Sequence, residues 1–258
     1  MVRQLIPTPP EATGTALTDG QLLELYRPEP GRLPFVRFNF VSSADGAATW
    51  DGKSGSLGND ADRRIFALLR RHADVILIGA GTIRAEGYAG ELLDAPAQAW
   101  RRERGLPAHP GIAVVSGSLD LDPGSPFFTE APTPIVVLTA GSADPSRRAA
   151  LGRVAEVVTA GADGVEPGRA VQALTGRGHR IVHSEGGPSL FASFQHADAV
   201  DSLCLTTSPV LAGGGQRRIS TGSAAELRRL ELAVLLEEDG ALFAEYRRSG
   251  TGPTPASG

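Results

Sequence analysis

Short β-branched, apolar runs alternate with amphipathic stretches along most of this 258-residue chain, and that alternation constrains its fold more than any other feature. The runs at 35–41, 75–78, 112–115, 135–138, 154–158, 181–183 and 202–208 read as strands. Segments 60–72, 144–151, 165–175 and 188–195 carry helical periodicity. Strand and helix in turn imply an α/β fold with a largely parallel sheet. The end of the chain breaks the rhythm. Segments 226–236 and 241–247 flank Glu238-Asp239-Gly240, whose Asp-Gly step is a hairpin signal, so the sheet is expected to be mixed.

No linker or repeat divides the chain, which predicts one main domain over 34–248. Residues 1–33 form an N-terminal extension with a short helix over 18–26, capped by Thr18 or Asp19. Residues 1–16 and 249–258, rich in Pro, Thr, Gly and Ala, read as loose tails.

With 41% hydrophobic and 21% charged residues the chain can bury a core, and a net charge of −4 gives no basic field for nucleic acid or anionic lipid. Cys204 is the single cysteine, so no internal disulfide and no Cys-based zinc site is available. Nothing resembles a signal peptide or a membrane span, and a cytoplasmic location is expected. His72, His109, His179, His183 and His196 are scattered and pair with no nucleophile.

Three glycine-bearing segments approach phosphate-binding patterns. Gly46 to Ser54 is one residue too long for a P-loop, and Gly79-Ala80-Gly81 has Arg84 where a Rossmann fingerprint needs its third glycine. The third, Ser184-Glu185-Gly186-Gly187-Pro188-Ser189-Leu190, runs from a strand into a helix. Its glycines permit close backbone approach, Pro188 suits a first helical turn, and free amides there attract a diphosphate. Together with the turn at Gly79–Thr82 it suggests one elongated phosphate-bearing ligand. The residues alone leave two independent tight turns equally open.

The order Ser43-Ala44-Asp45-Gly46, Leu69-Arg70, Gly79-Ala80-Gly81-Thr82 and Glu185-Gly186-Gly187-Pro188 resembles the reductase domain of the bacterial riboflavin-biosynthesis deaminase–reductase, from about Phe35 to Gly215. The resemblance implies a dihydrofolate reductase-like fold with a mixed, mostly parallel sheet, and NADPH-dependent reduction of a ribosylaminopyrimidine phosphate such as 5-amino-6-(5-phosphoribosylamino)uracil. It places Ala44, Gly79, Gly81, Thr82, Glu86, Ser116, Gly117, Gly186, Gly187, Pro188, Ser189 and Leu190 on the cofactor. It nominates Asp45, Ser54, Asp62, Arg70 and Glu185 for substrate, and a homodimer. Asp62 stands near the position at which the wider dihydrofolate reductase group binds a pterin. Ser116 and Ser118 suit a 2′-phosphate, which favours NADPH over NADH.

Departures fall on the substrate side. The arginine-bearing segment expected after Gly-x-Gly-Thr reads Glu86-Gly87-Tyr88-Ala89-Gly90-Glu91-Leu92, and Ser56 replaces an aromatic residue. A pterin reductase on the same fold, and a nucleotide-binding protein serving regulation or assembly without chemistry, are therefore the alternatives. No zinc deaminase motif is present, no metal is expected, and no catalytic acid is identified.

Overall fold

The computed structural model describes residues 1–7, 16–29, 31–222 and 226–249. Among these described residues ten strands form one sheet: β1 (Arg3–Ile6), β2 (Phe35–Ser43), β3 (Val75–Gly79), β4 (Gly111–Val115), β5 (Ile135–Thr139), β6 (Glu156–Thr159), β7 (Ile181–Ser184), β8 (Ser202–Ser208), β9 (Leu230–Glu238) and β10 (Ala241–Arg248). Between them lie α1 (Asp19–Leu25), α2 (Asp60–His72), α3 (Ala80–Glu86), α4 (Ala95–Arg102), α5 (Pro126–Thr129), α6 (Pro145–Leu151), α7 (Pro167–Thr175) and α8 (Pro188–His196).

The strand order is β1-β9-β10-β8-β2-β7-β3-β4-β5-β6. Every pairing from β8 to β6 is parallel, while β1, β9, β10 and β8 pair antiparallel. The central strands are apolar on both faces because both are covered. On β3, Val75 and Leu77 join one cluster with Phe38, Phe191 and Phe194, and Ile76 and Ile78 join another with Ile83 and Phe127. Period-two alternation thus serves two cores at once.

Helix α2 is set by its ends. The Asn59 side chain accepts from the Asp62 amide at 2.9 Å, and the buried Arg101 donates to the carbonyls of Arg71 and Ala73 at 2.9 and 2.6 Å. A cation among the last carbonyls satisfies orphan acceptors and complements the helix dipole.

Several expectations change. The N-terminus is not loose over its first residues. Val2 is fully buried with Leu22, Leu23 and Leu236, and β1 pairs with β9. Thr18 caps α1 in a reciprocal capping box with Gln21. Residues 8–15 and 250–258 of the expected tails lie outside the described residues. The strand expected from Val154 begins at Glu156, because the Val154 amide still bonds the Leu151 carbonyl in the turn that ends α6. The strand expected from Glu226 begins at Leu230, and α3, α4 and α5 are additional. The expected turn at Gly79–Thr82 is the start of α3, with Gly79 as its N-cap.

The parallel strands β2, β7, β3 and β4 lie side by side and release their chains at one edge. Ligands bind open α/β sheets at that edge.

Candidate active site

Beyond that edge lies a cavity of about 920 Å³. Its floor is made where two segments touch. The Glu185 amide donates to the Leu77 carbonyl at 3.0 Å, and the Gly79 amide donates to the Gly186 carbonyl at 2.8 Å. A Cβ at Gly79 would come within 3.3 Å of that carbonyl, so the segments approach closely because no side chain stands there. The Gly186–Gly187 peptide is cis, and Gly187 is the N-cap of α8 with Pro188 in its first turn. The amides of Ser189 and Leu190 have no acceptor within the helix and belong to cavity-lining residues. At Gly81 and Gly117, also lining, an added Cβ would meet no atom within 4 Å. Backbone thus approaches the cavity at three places without side chains between.

All the expected site residues line this cavity except Ala44, Asp45 and Gly186. Gly186 is turned beneath the floor at φ 86°, against the Phe40 ring. The Ala44 amide donates to the Val210 carbonyl at 2.9 Å, away from the cavity. The Asp45 carboxylate accepts the amides of Ala212 and Gly213 at 3.1 and 2.7 Å and the Ser43 hydroxyl. Those hydrogen bonds, the Ser43 hydroxyl first, push its pKa down to about 2.

Arg70 and Glu185 meet each other rather than standing apart. The Arg70 fork bonds both Glu185 oxygens at 2.5 and 2.8 Å, while its third nitrogen donates to the Leu92 carbonyl at 2.9 Å. The guanidinium also lies 4.4 Å over the Phe66 ring. Tyr88 completes the group, its hydroxyl donating to Glu185 at 2.7 Å. Burial alone would raise the Glu185 carboxyl, but the Arg70 charge and hydrogen bonds hold it below the ordinary carboxylate range. Behind it, burial pushes His183 down to about 3, so this ring stays neutral.

Two other carboxylates border the cavity. Glu86 accepts the Ser54 amide and hydroxyl at 3.0 and 2.9 Å, which ties the loop before α2 to α3. Asp62 accepts the Thr206 hydroxyl at 2.6 Å, and burial raises its carboxyl despite that bond. Phe66, Tyr88, Arg63, Arg84 and Arg217 also line the cavity and were not expected. Phe66 had a legible signal, since 62, 66 and 70 repeat every four residues along α2 and share its face.

Among the described residues no helix is long and apolar enough to cross a membrane, and no group of three or more His, Cys, Asp and Glu is placed to hold a metal.

The chain as a whole is similar to known proteins. The chain is 33% identical over 229 residues to the 2,5-diamino-6-ribosylamino-4(3H)-pyrimidinone 5′-phosphate reductase of Methanothermobacter thermautotrophicus, covering 84% of this chain and 99% of that one. The riboflavin biosynthesis protein RibD of Mycobacterium tuberculosis is 27% identical over 76% of this chain, which spans 48% of that longer protein. A pyrimidine reductase-like protein from Corynebacterium diphtheriae superposes with a TM-score of 0.76 at 26% identity, over 84% of this chain and 93% of that one. With residues 34–239 matching the family described as the RibD C-terminal domain, the chain belongs to that family.

Proposed function

We propose that the chain is an NADPH-dependent reductase that acts on a ribosylaminopyrimidine phosphate, either 5-amino-6-(5-phosphoribosylamino)uracil or its 2,5-diaminopyrimidinone counterpart. The observation that carries this reading is the contact between Gly79 and Gly186 at the sheet edge, which joins the starts of α3 and α8 into one backbone-lined floor. A dinucleotide fits such a floor, because free amides at Ser189 and Leu190 suit its diphosphate and the bare backbone at Gly81 and Gly117 leaves it room. When bound, the nicotinamide supplies the hydride. The chain orients the ring and the acceptor carbon against each other and shields them from water. Arg70, Glu185 and Tyr88 brace the wall of the substrate half, and the Glu86–Ser54 bonds hold the loop beside it. A homodimer goes with this reading. Steady-state NADPH oxidation with either pyrimidine is the test. Tight NADPH binding without turnover of any pyrimidine or pterin leaves only the non-catalytic alternative.

The preference for NADPH is supported at the turn after β4. Ser116, Gly117, Ser118 and Arg84 line the cavity, and the Arg147 guanidinium donates to the Ser118 carbonyl at 3.2 Å. Arg84 donates to the Asp120 carbonyl at 2.7 Å, while the Asp120 carboxylate, at 3.6 and 3.9 Å from the two arginines, leaves one net positive charge. The paired substitution Arg84→Gln, Arg147→Gln is expected to weaken NADPH binding about 10–100-fold, the worth of hydrogen bonds to a charged group, and to leave NADH binding nearly unchanged. Fluorescence titration with both nucleotides reads the difference.

Asp62 favours a 2-amino-4-oxo ring. Its carboxylate borders the cavity, and such a ring offers it two donors, the 2-amino group and N3–H, where a uracil offers a carbonyl at C2. That edge belongs to the diaminopyrimidinone and equally to dihydrofolate, so this residue also supports the pterin alternative. Asp62→Asn is expected to lower kcat/KM for 2-amino-4-oxo substrates about 10–100-fold and to spare the uracil substrate. Equal losses on both would remove Asp62 from ring recognition.

A further inference from the structure

We propose that Arg63 and Arg217 grip the phosphate of the substrate, with Asp45 as the positioning residue that holds the arm carrying Arg217. This rests on the reductase reading above. The family pattern sets an arginine in the segment after α3, and here that segment instead sends Tyr88 to Glu185. A phosphate dianion at the substrate end therefore needs another cation.

Among the described residues four arginines line the cavity: Arg63, Arg70, Arg84 and Arg217. Arg70 is committed to Glu185 and the Leu92 carbonyl, and Arg84 stands at the turn after β4, on the side given above to the cofactor. Arg63 and Arg217 remain. Among the described residues Arg63 pairs only with Asp60, one helical turn away, and both side chains are largely exposed, at 64% and 96%. Such an exposed pair contributes little, so it yields readily to a dianion. Arg217 has no ion-pair or side-chain hydrogen-bond partner among the described residues. Two planar guanidinium forks with donors to spare match the oxygens of a phosphate monoester.

The placement of Arg217 is built. The Ala48 amide donates to the Arg217 carbonyl at 2.7 Å, and Ala48 and Thr49 line the cavity beside it. Upstream, Ala44 bonds Val210, and the Asp45 carboxylate takes the amides of Ala212 and Gly213. Segment 210–217 is thereby stitched to the loop after β2. Asp45 lies outside the cavity yet fixes one wall of its mouth, and its low pKa keeps the tether charged at any working pH. Arg63 stands on α2 and Arg217 on the segment after β8, so the grip lies on a different wall of the cavity from Ser118 and Arg84.

Calorimetric titration of the full chain, saturated with NADP⁺, with ribose 5-phosphate and with ribose tests this. The wild type is expected to bind ribose 5-phosphate and to show no heat with ribose. Arg63→Gln and Arg217→Gln are each expected to raise the Kd for ribose 5-phosphate at least tenfold, and Arg217→Lys by less. Asp45→Asn is expected to raise it about threefold or more and to leave the Kd for NADP⁺ unchanged, with Asp45→Glu recovering part of the loss. In turnover, Arg217→Gln raises KM for the phosphorylated substrate with kcat within about twofold. Ribose bound as tightly as its phosphate, or ribose 5-phosphate bound equally by wild type and both glutamine variants, overturns the proposal. Loss of ribose 5-phosphate binding in the variants of a chain that turns over no pyrimidine upholds the grip and rejects the reductase reading.

Discussion

An Arg70→Met chain is expected to be about 3–5 kcal/mol less stable than wild type at pH 7, the usual effect of leaving one member of a buried ion pair alone. The Glu185 side chain is 1% exposed and relies on Arg70 for two of its hydrogen bonds, with Tyr88 giving the third. In the wild type its carboxyl titrates below the ordinary value in the folded state. Its stabilisation is therefore complete above the unfolded pKa, about 4.3, and is lost as pH falls through the folded one. In the variant the sign reverses. Burial, no longer opposed by a guanidinium, raises the carboxyl above its unfolded value, so the folded state takes up the proton first and the deficit shrinks on acidification. His183, 4.0 Å away, cannot replace the cation, because burial keeps it neutral. Urea unfolding at pH 7 and pH 5 reads the effect. A deficit equal at both values would mean that the pair's charge is not what stabilises the wall.

The parallel half of the fold was legible because its signals are local. Helix α2 spans Asp60–His72 as expected, its apolar face, Asn59 cap and basic last turn all lying within one segment. Strand β3 was legible as an unbroken apolar run, since a strand covered on both faces has no polar side to confuse its pattern. Strand β1 was not. Its four residues alternate between exposed and half-buried, and what makes them a strand is pairing with β9, more than 200 residues away. Helix α3 was hidden for a different reason. Two glycines in three residues read as a turn, but the Gly79–Gly186 bond extends the β3–β7 pairing to the first residue before the helix, and Ala80 then enters it directly.

Identities in the site were more legible than its connections. Arg70 and Glu185 were each nominated for substrate, and nothing in the sequence says that residues 115 apart bond each other. Once they do, each presents to the cavity only the donors and lone pairs that the pair and Tyr88 leave over. The resemblance nominated Asp45 for substrate, but its carboxylate lies outside the cavity, spent on the Ser43 hydroxyl and two amides. There it anchors a segment more than 160 residues later in the chain.

Two alanines should separate folding from binding at the glycine floor. Gly186→Ala is expected to cost about 2–5 kcal/mol. Its φ of 86° disfavours any Cβ by about 1–2 kcal/mol, and that Cβ would lie 3.0 and 3.2 Å from carbons of the Phe40 ring. Phe40 is itself packed 5.1 Å from Phe191, so the ring cannot swing clear without the overpacking strain of about 1–3 kcal/mol. Gly81→Ala is the opposite case. It sits in α3, where alanine is favoured by up to about 1 kcal/mol, and its Cβ meets no protein atom within 4 Å. Its Tm should match or exceed that of wild type, while its affinity for the dinucleotide falls at least about tenfold, because the new methyl group takes space that the ligand would fill and one misfit costs about 1.4 kcal/mol or more. Thermal melts and nucleotide titrations on both variants separate the two effects. A Gly81→Ala chain that binds dinucleotide as the wild type does would place the ligand elsewhere, however well the chain folds.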